Sequence, residues 1–515
     1  VIAQRETKEM TVRRPSQANL KDISERHHLH LTEVELETYY DVVCGVMESY
    51  DVLDQIPDPV RPLTEAIRQV GARPEPEEDP LNGIVRLCSV KATNPDGDDL
   101  VGKTIGLKDT ISIAGIPMTC ASRLLYDYTP DGDATVVRRL LQAGGHITHI
   151  LNTDDFGFAG TGHTSAYGPA HNPVNPDNQP GGSSCGSAIA IAENRVDLTL
   201  GGDQGGSIRI PAAWSGIVGL KPSHGLIPYT GIVGFDLSID HIGPMTKDVA
   251  DTALMLSVLA GADDTCIDPR QPSAVEPQDY MAALGGGAKG LKVAVVEEGF
   301  GHEGASTREV DITVRDAAQR LAALGAEVES VSIPYHRHGL PIWNAVAIEG
   351  ATDNLYRGGV VYQNKGLYNP RFITHLARAI QTNGGDFSPT AKMGILAGHY
   401  MREQYQGAFY ARAQNMARVL SSEYDKVLAT HDILLMPTTP QQAHGMLPSV
   451  EEDRMTYVAN ALNMVHNTAP INLTGHPSIS VPCQAVSGLP VGLMLTGRWM
   501  DDATVLRAAN AYMTE

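Results

Sequence analysis

The sequence predicts an α/β protein in which helices cover a mixed β-sheet. A helix–glycine–strand grammar occurs as Thr135–Ala143, Gly144-Gly145 and His146–Leu151, and returns as Val314–Leu324, Gly325 and Glu327–Ile333. Short β-rich runs alternate with helical periodicity along most of the chain, the pattern of a sheet whose strands are joined by helices. With 515 residues, 42% hydrophobic and 19% charged, the chain can build one large domain with additions, or two domains.

Residues 1 to about 70 read as helical, on the spacing of Leu36, Tyr39, Tyr40, Val43, Val46 and Met47. The acidic, proline-rich run Ala72-Arg73-Pro74-Glu75-Pro76-Glu77-Glu78-Asp79-Pro80 then predicts a boundary near 78. It separates an N-terminal helical domain, 1–78, from a larger domain, 79–515. In the latter, Thr104–Lys108 and Ile111–Ile113 read as strands around a turn. An alanine- and isoleucine-rich helix after Ser187 leads to a short buried strand at Val196–Leu200. Gly285-Gly286-Gly287 is a flexible joint before the strand Leu291–Val296. Residues from about 340 to 425 are mostly helical and polar, an expected insertion near the site. Ile433–Pro437, Pro477–Pro482 and Val491–Leu495 read as the last strands.

The formal net charge of −21 argues against nucleic acid or an anionic membrane as partner. No apolar run approaches the roughly 18 residues of a membrane span. The opening Val1-Ile2-Ala3-Gln4-Arg5 lacks the pattern of a secretion signal. Cys44, Cys88, Cys120, Cys185, Cys266 and Cys483 are scattered without a CxxC pair, which reads as free thiols in a reducing cytoplasm. The sequon Asn472-Leu473-Thr474 is read as chance. The histidines, among them His163, His302, His336, His338 and His476, show no metal-ligand spacing, and no phosphate loop or dinucleotide fingerprint occurs. No metal and no cofactor are expected.

The chemistry concentrates between Gly181 and Arg209. Gly181-Gly182-Ser183-Ser184-Cys185-Gly186-Ser187 and Gly201-Gly202-Asp203-Gln204-Gly205-Gly206-Ser207-Ile208-Arg209 flank the helix and strand. Glycines let backbone N–H groups approach a reacting oxygen, and serines supply hydroxyls that attack or relay protons. The pattern is that of a hydrolytic centre.

These clusters, with Pro211-Ala212-Ala213, Gly219-Leu220-Lys221-Pro222, the upstream Gly106-Leu107-Lys108-Asp109 and the later Met436-Pro437-Thr438 and Gly475-His476-Pro477-Ser478, resemble the amidase signature family. The likeness runs in order over roughly residues 80 to 515. Within the family the chain is most similar to bacterial enantioselective amidases of the type associated with nitrile hydratases. The resemblance implies a central mixed sheet with helices on both faces, a dimerising N-terminal helical domain, and hydrolysis of aromatic or branched aliphatic amides to carboxylate and ammonia by a homodimer.

By motif position it implies Ser207 as nucleophile, Ser183 as a bridging serine with a cis peptide bond, and Lys108 as base. The N–H groups of Gln204, Gly205, Gly206 and Ser207 would form the oxyanion hole, and Phe158, Gln204, Ile239 and Trp343 would contact substrate. A lysine can act as base only when burial lowers its pKa from about 10.4. Alone, Lys108-Asp109 would read as a surface ion pair. Ser207 can also read as a helix N-cap, Ser184 as a local hydrogen-bonding group that could reach Asp203, and Arg209 as holding a structural carboxylate. Cys185 departs from the family's usual glycine and reads as a packing residue. Leu151–Phe156 departs from the usual Gly-Lys-Thr-Asn type. Carbamates or anilides suit the same chemistry. Two other classes stay open: the ammonia-producing A-type component of a glutamine-dependent amidotransferase, and a silent binding protein.

Overall fold

A computed structural model describes residues 12–59, 63–263, 268–272, 274–356 and 365–514. Cys266, the chain's first eleven residues and part of the expected insertion lie outside the described residues. The chain forms two compact units, residues 1–61 and 62–515.

In the first unit, helices Gln17–Arg26 and Glu33–Asp54 each begin at a capping box, Ser16 with Asn19 and Thr32 with Glu35. Arg14 pairs with Asp51 at 2.5 Å. The longer helix leaves Tyr39, Val42, Val46, Tyr50 and Leu53 exposed.

The second unit is built on one sheet of twelve strands: β1 (Ala66–Ala72), β2 (Ile84–Ala92), β3 (Thr104–Lys108), β4 (His146–Leu151), β5 (Leu198–Asp203), β6 (Val218–Lys221), β7 (His241–Thr246), β8 (Lys292–Val296), β9 (Glu327–Val331), β10 (Ile433–Pro437), β11 (Ser478–Pro482) and β12 (Gly492–Thr496). Their order is β1-β2-β4-β3-β5-β7-β6-β11-β12-β10-β8-β9. β3 runs parallel to β4 and β5, and β8 runs parallel to β9 and β10. The other pairings are antiparallel, so the sheet is mixed. Strands β5, β6, β7, β10 and β12 are buried at every residue. A strand buried on both sides needs cover on both, and helices pack on both faces of this sheet.

The helical reading of residues 1–70 is corrected. Helix ends at Asp54, and Ala66–Ala72 is an edge strand paired antiparallel with β2, which puts the boundary at 61/62 and not near 78. Seven residues are too few for apolar spacing to separate helix from strand. Arg68 instead anchors the edge through an ion pair of 2.6 Å to buried Asp133. Ile111–Ile113 is no strand: only Ile111 forms a bridge, to Ile232. Strands β2, β6 and β7 are absent from the sequence reading. Gly219, Gly243 and Pro244 lower the strand signal of the last two, and burial between neighbours overrides propensity there. The expected insertion does form helices, Gly339–Tyr356, Pro370–Asn383, Pro389–Tyr405 and Ala408–Leu428.

Candidate active site

The topology itself makes the site. β3 and β5 are parallel neighbours, with Leu107 opposite Leu200, so both end at one edge of the sheet, β3 at Lys108 and β5 two residues further along at Asp203. Helix Cys185–Ala192 feeds β5 and brings its own N-terminus, with Ser183 and Ser184, to the same edge. Ligands bind in open α/β sheets beyond the carboxyl ends of the parallel strands.

Lys108 is buried, and its Nζ donates to Ser183 Oγ at 2.7 Å. Burial pushes the amine down to about 8, against the pull of Asp154 and Asp203. Ser183 is fully buried and follows a cis peptide bond after Gly182. Its carbonyl accepts from Asp154 N–H at 3.3 Å. The Asp154 carboxylate accepts in turn from Gly162 N–H, Thr164 N–H and Thr164 Oγ1 at 2.8–3.0 Å, which fixes the floor of the site.

Ser207 opens onto a cavity of about 430 Å³. Gly157 is also on its wall, and a Cβ there would sit 3.2 Å from Ser183 Oγ, so only a glycine separates the cavity from the buried serine. Phe158, Gln204, Gly205, Phe235 and Trp343 line it, and Leu340, Trp343, Asn344, Ala347 and Ile348 form one face of helix Gly339–Tyr356. Met393 and Met455 stand at exposed positions on the wall. Among the described residues that line the cavity none is charged, and the polar ones are few: Gln204, Ser207, Asn344, Thr390 and Asn463.

The loop Gln204–Ser207 is tied down carbonyl by carbonyl. The Asp203 oxygen accepts from Asn472 Nδ2 at 2.9 Å and the Gln204 oxygen from Trp343 Nε1 at 2.7 Å. The Gly205 oxygen accepts from Thr468 Oγ1 at 2.6 Å, the Gly206 oxygen from Ile210 N–H at 2.7 Å and the Ser207 oxygen from Ser184 N–H at 3.2 Å. In a trans peptide the N–H points opposite to the C=O of the same plane, so each tether also aims the following N–H. Gly206 has φ +137°, and a Cβ on it would meet Thr468 Oγ1, so glycine is required there.

The Asp203 carboxylate braces the loop from behind. It accepts from Gly206 N–H at 2.8 Å and Ile208 N–H at 3.1 Å, and it pairs with Arg209 at 3.0 Å, both side chains fully buried. Burial alone would raise this carboxylate, but the guanidinium of Arg209 outweighs it and holds the pKa below the usual range. Arg209 thus holds a structural carboxylate.

Four readings are corrected by this geometry. Gly206 N–H is committed to Asp203 and its residue is not on the cavity wall, which removes it from the oxyanion donors and leaves Gln204, Gly205 and Ser207 as candidates. Ile239 is no substrate contact: it is fully buried in the core, and its carbonyl is bound to His241 Nδ1 at 2.8 Å. Ser184 Oγ donates to the Gly202 carbonyl at 3.2 Å, not to Asp203. Ser207 does not cap the following helix, whose N-cap is Ile208.

Phe158, Gln204 and Trp343 do reach the cavity. Cys185 packs in the core and donates weakly to the Asn152 carbonyl at 3.5 Å, with burial raising its pKa. Asn152, in the departing Leu151–Phe156 run, ties Ser165 and Asn82 under the floor. Asn472, the sequon residue, is fully buried and serves Asp203 and Arg209.

The helix stripe Leu340, Asn344, Ala347 and Ile348 is missing from the residues predicted from sequence, although spacing of i, i+3, i+4, i+7 and i+8 with Trp343 marks a single face. Thr468 is missing as well and carries no motif. Among the described residues five cysteines are free, and no group of three metal-ligating side chains is assembled. No helix among the described residues is long and apolar enough to cross a membrane.

The amidase family model matches residues 89–506. An enantioselective amidase of Rhodococcus rhodochrous is 42% identical over 441 residues, 85% of this chain and 84% of the relative. The A-type component of the glutamyl-tRNA(Gln) amidotransferase of Exiguobacterium sibiricum is 38% identical over 469 residues, 91% of this chain and 92% of that one. Among solved structures, the corresponding component of the Thermotoga maritima glutamyl-tRNA(Gln) amidotransferase superposes with a TM-score of 0.68 at 31% identity, covering 84% of this chain and 87% of that one.

Proposed function

The chain belongs to the amidase signature family, and from that footing we propose that it hydrolyses a neutral carboxamide with an aromatic or branched aliphatic acyl group to carboxylate and ammonia. The observation that carries the reading is the buried Lys108 amine, 2.7 Å from Ser183 Oγ and held near pH 8, beside a Ser207 that opens onto an uncharged cavity.

The substrate's acyl group fills the cavity and its carbonyl carbon meets Ser207 Oγ. Neutral Lys108 takes a proton from Ser183, which takes one from Ser207 as the new C–O bond forms. The developing oxyanion is met by the N–H groups of Gly205 and Ser207, with Gln204 N–H beside them. As the C–N bond breaks, the proton returns through Ser183 to the nitrogen, which departs as ammonia. Water then attacks the acyl-serine by the same relay and releases the carboxylate.

The second class, ammonia production from glutamine within an amidotransferase, is favoured by the relatives of that name. The cavity weighs against it. Free glutamine carries an ammonium and a carboxylate, which a buried site must pair, and no charged side chain lines this wall among the described residues. Carbamates and anilides stay within the same mechanism. We further infer a cytoplasmic homodimer, on the unpaired cysteines and on the apolar positions that helix Glu33–Asp54 leaves exposed.

The test is ammonia release from purified protein across aliphatic, aromatic and carbamate substrates and glutamine, with sizing of the native protein. Aromatic amides are expected to lead, hydroxylamine to divert the acyl group to a hydroxamate, and Ser207→Ala to abolish both. A Ser207→Ala protein that releases ammonia at the parent rate disposes of the reading.

A further inference from the structure

Trp343 belongs to the cavity wall, but its polar end faces elsewhere. The residue is 3% exposed, and its indole N–H donates to the Gln204 carbonyl at 2.7 Å. The ring lies close against the loop, since a Cβ on Gly205 would come within 2.5 Å of its Cζ2. The Gln204–Gly205 peptide is therefore held by a hydrogen bond at its oxygen and by contact along its flank. Its other polar group, Gly205 N–H, projects away from the indole, on a residue that lines the cavity with Ser207.

We propose that Trp343 is a positioning residue for the oxyanion hole, holding the Gln204–Gly205 peptide in the plane that aims Gly205 N–H at the substrate oxygen. The inference rests on the Ser207 acyl-enzyme reading above. Its physical ground is that fixed donors stabilise a developing charge without reorganising, whereas a peptide free to rotate must be ordered in each transition state. The neighbouring tethers do not replace this one. Thr468 fixes the next peptide, whose N–H is spent on Asp203, and Ile210 N–H fixes the one after.

The tether has a consequence for selectivity. Trp343 shares its helix face with Leu340, Asn344, Ala347 and Ile348, which all line the cavity. An acyl group that presses on this face presses on the group that aims Gly205 N–H. Acyl structure is then felt in kcat as well as in KM.

Two variants test the role, with benzamide as substrate, phenylboronic acid as a tetrahedral mimic on Ser207, and benzoate as a ground-state mimic. Trp343→Phe keeps an aromatic face and removes the donor. Benzothienylalanine placed at position 343 keeps the whole indole outline and puts sulfur where the N–H was, so it reports even if the Phe variant does not fold. Expected for both is a kcat lowered about 10- to 100-fold, less than the 10²–10³ of losing an oxyanion donor outright. KM and benzoate affinity stay within about threefold, and phenylboronic acid affinity falls in step with kcat/KM.

Loss of benzoate affinity with kcat retained would reduce Trp343 to a wall residue, and parental behaviour of the benzothienyl protein would remove the tether altogether. A parent protein inert to benzamide and to phenylboronic acid marks the failure of the serine reading, seen before any substitution is made.

Discussion

The proton relay should be visible in the pH dependence of the parent enzyme. Only unprotonated Lys108 can accept the proton of Ser183, and burial holds that amine near 8 where an exposed lysine titrates at 10.5. With a pKa of about 8, roughly a tenth of the enzyme is competent at pH 7 and about nine-tenths at pH 9. The sign is fixed by the chemistry: kcat/KM rises with pH, by close to tenfold between 7 and 9, and then levels. Since kcat/KM reports the free enzyme, the limb belongs to the residue before substrate enters. Steady-state ammonia release on a neutral amide, whose own charge is constant over this range, measures it without a substrate titration underneath.

Lys108→Arg is the companion perturbation. Arginine keeps a cation at the end of β3 but does not deprotonate in this range. It should lose about 10²–10⁴-fold and gain nothing from alkaline pH. A flat parent profile from 6 to 9, or an arginine variant whose activity climbs with pH as the parent's does, refutes Lys108 as base.

Gly205→Ala forces a methyl to within 2.5 Å of the Trp343 ring, which is rigid and hydrogen-bonded, so the loop must move; kcat should fall by about 10²-fold, with about 1–3 kcal/mol of stability lost to the clash. Asp203→Asn leaves Arg209 buried without its charge partner and should cost about 3–5 kcal/mol, read by chemical denaturation. Because Arg209 depresses the folded-state pKa of Asp203, the stability from this pair is present above the ordinary carboxylate value of about 3.9 and is lost as pH falls through the lower folded value. Cys185→Ser should keep the parental kcat, and native protein should not be alkylated at Cys185 by iodoacetamide at about pH 7.5, since burial keeps that thiol protonated and out of reach.

What the chain discloses before folding follows the range of each interaction. Lys108, Ser183 and Ser207 are legible because each sits in a short motif whose glycines must be glycine, as Gly206 shows. Of the two parallel strands that bring them together, β3 has its predicted bounds. β5 is predicted at Val196–Leu200 and runs at Leu198–Asp203, because burial carries the ladder on through Gly201, Gly202 and Asp203, which read from sequence as loop. The cavity is not legible in this way. Its walls come from Gly157–Gly160, Phe235, the helix at 339–356, Thr390–Gly394 and Met455–Val465, which only the tertiary structure gathers. Ile239 shows the cost of carrying contacts over by resemblance. It lies in the right region, but it sits in the turn before β7 and is packed in the core. Asn472 shows the reverse, a residue dismissed as a chance sequon that holds the carboxylate behind the oxyanion loop.

This division also says where substrate choice can change without loss of chemistry. The relay and its braces, Lys108, Ser183, Asp203 and Arg209, stand at the carboxyl ends of two adjacent strands or beside them and are buried, so alteration there breaks the reaction or the fold. The acyl wall is carried by helices outside the sheet, and most of its members touch no reacting group. Relatives named for an enantioselective amidase and for an amidotransferase component are what such an arrangement permits. Trp343 is where the separation ends. It stands on the wall helix and holds the geometry of the catalytic loop. A redesign of selectivity that preserves its indole N–H should therefore retain turnover, while one that replaces it should lose rate even on amides that fit the new pocket.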